Sequence, residues 1–407
     1  MATTTEPRND ESAPGPQEEE GERSTRRLLV VLFIVLGVAA LALLALLLWL
    51  LRPKPAEAPP GQAAGYPIEV VTTIYGYGQN ADELMNKPLG VTFDQSGNVW
   101  VSDTGQSRVE VYTSAGEYIR TIGDQKGDGK LYAPFGIAID NERSLAYVAD
   151  MSNRAVQIYT TDGSYVGKLP SPEQDLSVFG DTGFVPYDIG FSQGRIVVSS
   201  TDGLYWFDQE GNVVARWGGT SGKKNVQGPL VGMFNFPNSF TIDQATGWIY
   251  VADSANRRVI ALDPDGFMKW VSGTPDVDQK ITSFWNLPRS IELGSDGNLY
   301  VVDTFRTDPT GMGVGHIVVL SKDGELLSEF GRTGSDDGAF SFPDQIASGP
   351  DGLWAIADRE NNRVVVFRLN TPYPAVDDLL ARRYEPGFSR PEYAWVTPPP
   401  TPPEQGQ

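Results

Sequence analysis

Pro134-Phe-Gly-Ile-Ala-Ile-Asp140, followed by Leu145-Ala-Tyr-Val-Ala-Asp-Met-Ser-Asn153, is the stretch that decides the fold. Its first half alternates apolar and small residues after a proline, the period-two pattern of a half-buried strand. A turn rich in Asp, Asn, Glu and Ser follows, and a second short strand runs to Asp150. The same phrase opens at Pro88, Pro134, Pro186, Pro237, Pro288 and Pro343. The steps between these prolines are 46, 52, 51, 51 and 55 residues. A period near fifty, filled with short strands and turns, predicts a β-propeller with one sheet per repeat. The fold class is therefore all-β: a six-bladed propeller.

The copies agree in detail. Val91, Ile137, Ile189, Phe240, Ile291 and Ile346 hold one offset from the proline. Thr92, Ala138, Gly190, Thr241 and Ala347 hold the next, with Glu292 as the exception. The second strand ends at Asp103, Asp150, Asp253, Asp303 or Asp358, and at Ser200 in the third copy. The sixth copy has only three strands at its C-terminal end. Its missing outer strand is expected in Glu69-Val-Val-Thr-Thr-Ile-Tyr-Gly76, which is similar to the outer strands ending at Gly123, Gly218 and Gly331. The first segment of the propeller thus completes the last blade and closes the ring.

The pattern resembles the NHL-repeat family of six-bladed β-propellers. Pro-x-Gly-Val/Ile at 88–91 and 134–137, and Val-Ala-Asp-x-x-Asn at 148–153 and 251–256, carry the resemblance. Arg108, Arg258 and Arg363 match the family's arginine, five residues after the aspartate. The resemblance covers roughly residues 66–370. Blade three lacks the aspartate, asparagine and arginine, and blade five carries an insertion at 306–315. Asp103, Asp150, Asp253 and Asp358, with Arg108, Arg258 and Arg363, recur blade after blade. A catalytic group is needed once, whereas a loop brace is needed in every blade, so these residues read as structural. The arginines are expected to be exposed, adding to a binding rim.

Residues 28–51 form an uncharged apolar run of 24 residues. At about 1.5 Å per residue it reaches about 36 Å, enough for a tilted membrane helix and longer than the core of a cleaved signal peptide. It is read as an uncleaved signal anchor. Residues 1–27 would be a disordered acidic cytoplasmic tail, 52–65 a Pro/Ala/Gly linker, and 371–407 a Pro-rich C-terminal tail. The expected location is the cell membrane, single-pass, with the N-terminus cytoplasmic and the propeller extracytoplasmic. The tail contains Pro398-Pro-Pro-Thr-Pro-Pro403, a polyproline II sequence that serves either as a spacer or as a recognition segment.

Composition removes several functions. The absence of cysteine excludes disulfides, thiol catalysis and zinc–thiolate sites. The single histidine, His316, excludes multi-histidine metal sites, so the histidines on which related propeller lyases depend have no counterpart here. His316 is expected on a surface loop or strand edge. A net charge of −20 repels phosphate backbones and argues against nucleic acid, the ligand of some NHL propellers. No nucleophile, phosphate-loop or dinucleotide motif is placed on a strand-to-helix turn.

The residues just after each proline are expected at one mouth of the ring. Leu89-Gly90 and Phe135-Gly136 look structural. Tyr187, Asp188, Asn238, Arg289 and Asp344 form a candidate polar half-ring for ligand binding, with an Arg289–Asp344 ion pair as the equally simple structural explanation. Asp188, Glu292 and Asp344 are candidate ligands for calcium, the one cofactor considered. The leading reading is a membrane-anchored binding or scaffold module for a protein, peptide or cell-envelope glycan. A metal-assisted, lactonase-like hydrolase or lyase with its site in the channel is one alternative. A ligand sensor signalling through the membrane helix is another.

Overall fold

The computed structural model describes residues 68–170, 174–179, 183–218, 233–273, 284–305 and 316–370, besides the isolated Leu32. The acidic tail at 1–27, the apolar run at 28–51, the linker at 52–65, the blade-five insertion at 306–315 and the Pro-rich tail at 371–407 lie outside the described residues. Among the described residues, no helix is long and apolar enough to cross a membrane.

Six four-stranded antiparallel sheets follow one another along the described chain. Their inner strands are Gly90–Phe93, Pro134–Asp140, Pro186–Ser192, Pro237–Ile242, Pro288–Leu293 and Pro343–Ser348. Each starts at or near the expected proline. Proline suits the first position of a strand, where the missing N–H breaks no ladder. Consecutive inner strands pack against each other, and Gly90–Phe93 packs against Pro343–Ser348, so the ring is closed. In the sixth sheet the outermost strand is Ile68–Ile74, the first among the described residues. It runs antiparallel to Arg363–Leu369, pairing Ile68 with Leu369 and Ile74 with Val364.

Apolar side chains meet between the faces of neighbouring blades. Trp206, Trp217, Ile249, Val251 and Ile260 join blade three to blade four. Ile74, Val91, Val101, Tyr112, Val364 and Val366 join blade one to blade six across the closure. Each such aliphatic side chain contributes about 1.5–3 kcal/mol when fully buried. The β-branched residues of the second and third strands therefore work in pairs, one sheet face to each neighbour.

Two glycines mark where inner strands come closest. A Cβ on Gly90 would stand 1.9 Å from the carbonyl oxygen of Phe135 in blade two. A Cβ on Gly136 would stand 2.6 Å from the carbonyl oxygen of Tyr187 in blade three. In the other blades the equivalent position carries a polar side chain that reaches the next blade instead. Phe240 N–H donates to Asp188 Oδ2 (3.1 Å), Ile291 N–H to Ser239 Oγ (3.3 Å), Ile346 N–H to Ser290 Oγ (3.2 Å) and Val91 N–H to Gln345 Oε1 (3.0 Å). Blades are thus stapled around the axis by side chain to backbone bonds, which satisfy donors that would otherwise be buried unpaired.

Candidate functional site

The repeated aspartates brace the entry end, where inner strands begin. All are fully buried. Each accepts from the backbone of the loop that leads into its own inner strand. Asn86 N–H donates to Asp103 (2.7 Å), Tyr132 and Ala133 to Asp150 (2.9 and 3.0 Å), Asn235 to Asp253 (2.8 Å), and Ser341 to Asp358 (2.6 Å). Asn153, Asn256 and Asn361 each donate to the same aspartates at 2.7 Å. In blade three, Ser200 Oγ takes one such bond, from Val185 N–H at 3.0 Å. The carboxylate folds the turn by accepting from its backbone donors, and in blade three a hydroxyl keeps one of those bonds.

The arginines differ from expectation. Arg108, Arg258 and Arg363 are buried, at 7%, 1% and 4% exposure, and do not form an exposed rim. Arg258 and Arg363 pair with Asp253 and Asp358 at 2.7 Å. Arg108 bridges Asp103 and Glu110. Their other N–H groups serve carbonyls of the entry loops, such as Ser335 and Ala339 for Arg363. A guanidinium is long enough, and has enough donors, to tie a carboxylate and a loop together at once. His316 is also buried rather than on the surface, with Nε2 3.1 Å from Thr333 Oγ1 and Nδ1 3.3 Å from the Asp303 carbonyl.

The five residues of the polar half-ring lie together at the entry end, but mostly turned inward. Tyr187, Asp188, Asn238 and Asp344 are buried. Asp188 is surrounded by donors: Ile189 N–H (2.9 Å), Phe240 N–H, Gln345 Nε2 (3.1 Å, from the opposite blade) and the Ser239 hydroxyl. Burial pushes its carboxyl up to about 6. Asn238 donates to Ser254 Oγ at 2.9 Å, and Tyr187 bonds Thr201. Arg289 pairs with Asp344 through Nε and Nη2, at 2.8 Å for the shortest contact. The ion-pair expectation therefore describes the ground state of these two residues. Arg289 alone keeps a side chain partly open, 18% exposed.

Deeper in the axis, Glu292 accepts from both the N–H and the hydroxyl of Ser348, at 3.2 and 2.6 Å. Burial, with the charge of Asp188 adding to it, pushes its carboxyl up to about 7. Among the described residues, no three histidine or acidic side chains are grouped so as to hold a metal ion. Asp188, Glu292 and Asp344 each have the separate protein partners given above.

What the mouth presents instead is aromatic. Phe135 and Tyr187 meet edge to face at 6.1 Å, and Tyr187 meets Phe236 at 5.9 Å. The Arg289 guanidinium lies 5.5 Å from the Phe135 ring, reaching over from the opposite blade. Phe305 and Phe342 meet edge to face at 4.4 Å, and Arg359 lies 4.9 Å from the Phe342 ring. Asp344 feels the charge of both arginines. Together these residues form an aromatic–arginine band across the ring. Phe236 is 39% exposed and Phe305 51%.

Two of these rings sit on costly backbone. Phe236 and Phe342 have φ of 52° and 57°, in the left-handed region, and each immediately precedes a proline. Lys87, at the same place in blade one, has φ of 52°. Left-handed conformations cost a non-glycine residue about 1–3 kcal/mol where the surroundings impose them. Sequence reading missed Phe236, Phe305 and Phe342. The available signal was a phenylalanine directly before the strand-opening proline in blades four and six.

The geometry defines a closed six-bladed β-propeller with a structured mouth. A family model for the NHL repeat matches residues 85–112. NHL repeat-containing protein 3 of Homo sapiens is 30% identical over 148 residues, covering 35% of this chain and 38% of that protein. The match therefore spans less than two-fifths of that relative's length. Among solved structures, a structural genomics protein of unknown function from Bacteroides thetaiotaomicron is similar at TM-score 0.52 and 15% identity, covering 74% of this chain and 76% of that one. A streptogramin B lyase is similar at TM-score 0.45 and 12% identity, covering 70% and 94%. The chain thus carries an NHL repeat at residues 85–112 within a six-bladed β-propeller.

Proposed function

We propose that this propeller is a recognition module, and that its mouth binds an extended peptide of a protein partner. The observation that carries the reading is the aromatic–arginine band, with Phe305 half-exposed and two further rings held on left-handed backbone. Arginine and large aromatics are the residues that dominate binding at interfaces. Both ends of the ring, Ile68 and Leu369, pair with each other away from the mouth, which carries neither.

We further propose that residues 28–51 anchor the chain in a membrane, with the N-terminus cytoplasmic and the propeller outside. The support is the length of the uncharged run. Extraction by alkaline carbonate and cleavage of the propeller by external protease in intact cells test this half. Release by carbonate, or protection of the propeller, contradicts it.

The recognition half is tested with Phe305→Ser, a substitution at an exposed ring that leaves the blades intact. Affinity capture from crosslinked cells with the parent chain and with a variant of equal melting temperature should lose a discrete partner protein. An unchanged set of captured proteins contradicts the reading.

A further inference from the structure

We propose that the chain's own proline-rich segment, residues 398–403, docks on the aromatic–arginine band of its mouth. The proposal rests on the reading of the mouth as a peptide-binding surface and names one occupant for it. The consequence is a recognition module that is covered at rest, so that an outside partner must displace the tail.

The chemistry of the two surfaces matches. Pro398-Pro-Pro-Thr-Pro-Pro403 favours the polyproline II helix, which has no internal hydrogen bonds and little conformational freedom left to lose. Such helices dock where aromatic rings form ridges, with prolines seated between them. The mouth offers two exposed rings, Phe236 packed on the buried Tyr187 and Phe305 packed on Phe342. Arg289 lies over Phe135 and bonds Asp344 through Nε and Nη2. The segment is uncharged, so it approaches a chain of net charge −20 without repulsion. Glu404 follows the last proline and supplies a carboxylate for Arg359, which flanks Phe342.

The connection is long enough. The last strand ends at Leu369, the end of the ring opposite the mouth. Pro398 is 28 residues beyond Asn370. Extended at about 3.1 Å per residue, that stretch reaches about 87 Å. A blade whose strands have six or seven residues is only about 23 Å tall at about 3.3 Å per residue. Tethering holds the segment near its own mouth at roughly millimolar effective concentration, so a weak contact suffices to occupy it.

The test uses the complete chain in detergent, a second chain ending at Thr397, and a fluorescein-labelled peptide of residues 397–407. Fluorescence anisotropy should show the peptide binding the shortened chain. Binding to the complete chain should be at least tenfold weaker, because the tail competes. Phe305→Ser in the shortened chain, or alanine for all five prolines in the peptide, should abolish binding. Equal binding to both chains, or no binding to the shortened one, overturns the proposal. If the shortened chain still captures a cellular partner through Phe305 while ignoring the peptide, the mouth reading stands and only the tail assignment falls. If the complete chain forms dimers that vanish on removing 398–407, the tail docks in trans, and the proposal of docking on its own mouth is overturned.

Discussion

Phe342 stands where its backbone would prefer glycine. With φ of 57° before Pro343, any side chain bearing a Cβ is strained. Phe342→Gly should therefore melt no lower than Phe342→Ala, and higher if relief of strain dominates; at ordinary strand positions the order is reversed. Thermal denaturation of the two variants decides it. Arg289 gives a second test. Its removal leaves Asp344 buried without its cation, so Arg289→Ala should cost about 3–5 kcal/mol. The double variant Arg289→Ala, Asp344→Ala should cost less than the single one, as read from urea unfolding. A double variant that is additive or worse would mean that Asp344 has other essential partners. Asp188 and Glu292 add a pH signature. Both carboxyls are pushed up, to about 6 and about 7, so the folded chain holds protons that the unfolded chain has released. Stability from these groups is complete below about pH 4 and is lost as pH rises through 6 to 7. Melting temperature should fall between pH 5 and pH 8, and Glu292→Gln should flatten that slope. These residues also mark the limit of the sequence reading. The position after each proline was legible as a place, but not which way its side chain turned. Asp188 looks like a mouth residue because strand alternation distinguishes faces, not the axis from the next blade. Arg258 looks exposed because a lone cation normally is, and its partners come from a loop that its own strand does not predict.

At the scale of the strand, the closing segment does the most. Ile68–Ile74 covers the edge of Arg363–Leu369, whose Val364, Val365, Val366 and Phe367 are otherwise a bare apolar strand edge. A chain beginning at Gly76 should lose cooperative unfolding and aggregate, whereas one beginning at Pro67 should keep a single transition. Calorimetry with sedimentation separates them, and equal behaviour would contradict closure by the first strand. This element was legible because the sixth repeat lacks one strand and the chain supplies one with the same ending. The phenylalanines of the mouth were not. Aromatic residues in a propeller read as core, and only the left-handed turn before Pro237 and Pro343 displays Phe236 and Phe342 at the mouth instead. Blade three shows the same lesson in reverse: it lacks the repeated aspartate, yet Ser200 keeps one of the bonds.

For the whole molecule, the repeat period fixes a ring and the ring fixes a mouth, but the mouth's chemistry comes from a few residues that break the repeat. Four of six blades replace glycine with a polar staple, and three carry an exposed or strained phenylalanine. Recognition at that mouth is the central claim. It is tested most directly by placing a photocrosslinking phenylalanine analogue at Phe305 and, separately, at Val166, an exposed position on an outer strand of blade two. Illumination of intact cells should give a discrete protein adduct at position 305 and none at 166. Adducts at 166 with none at 305 would contradict the account.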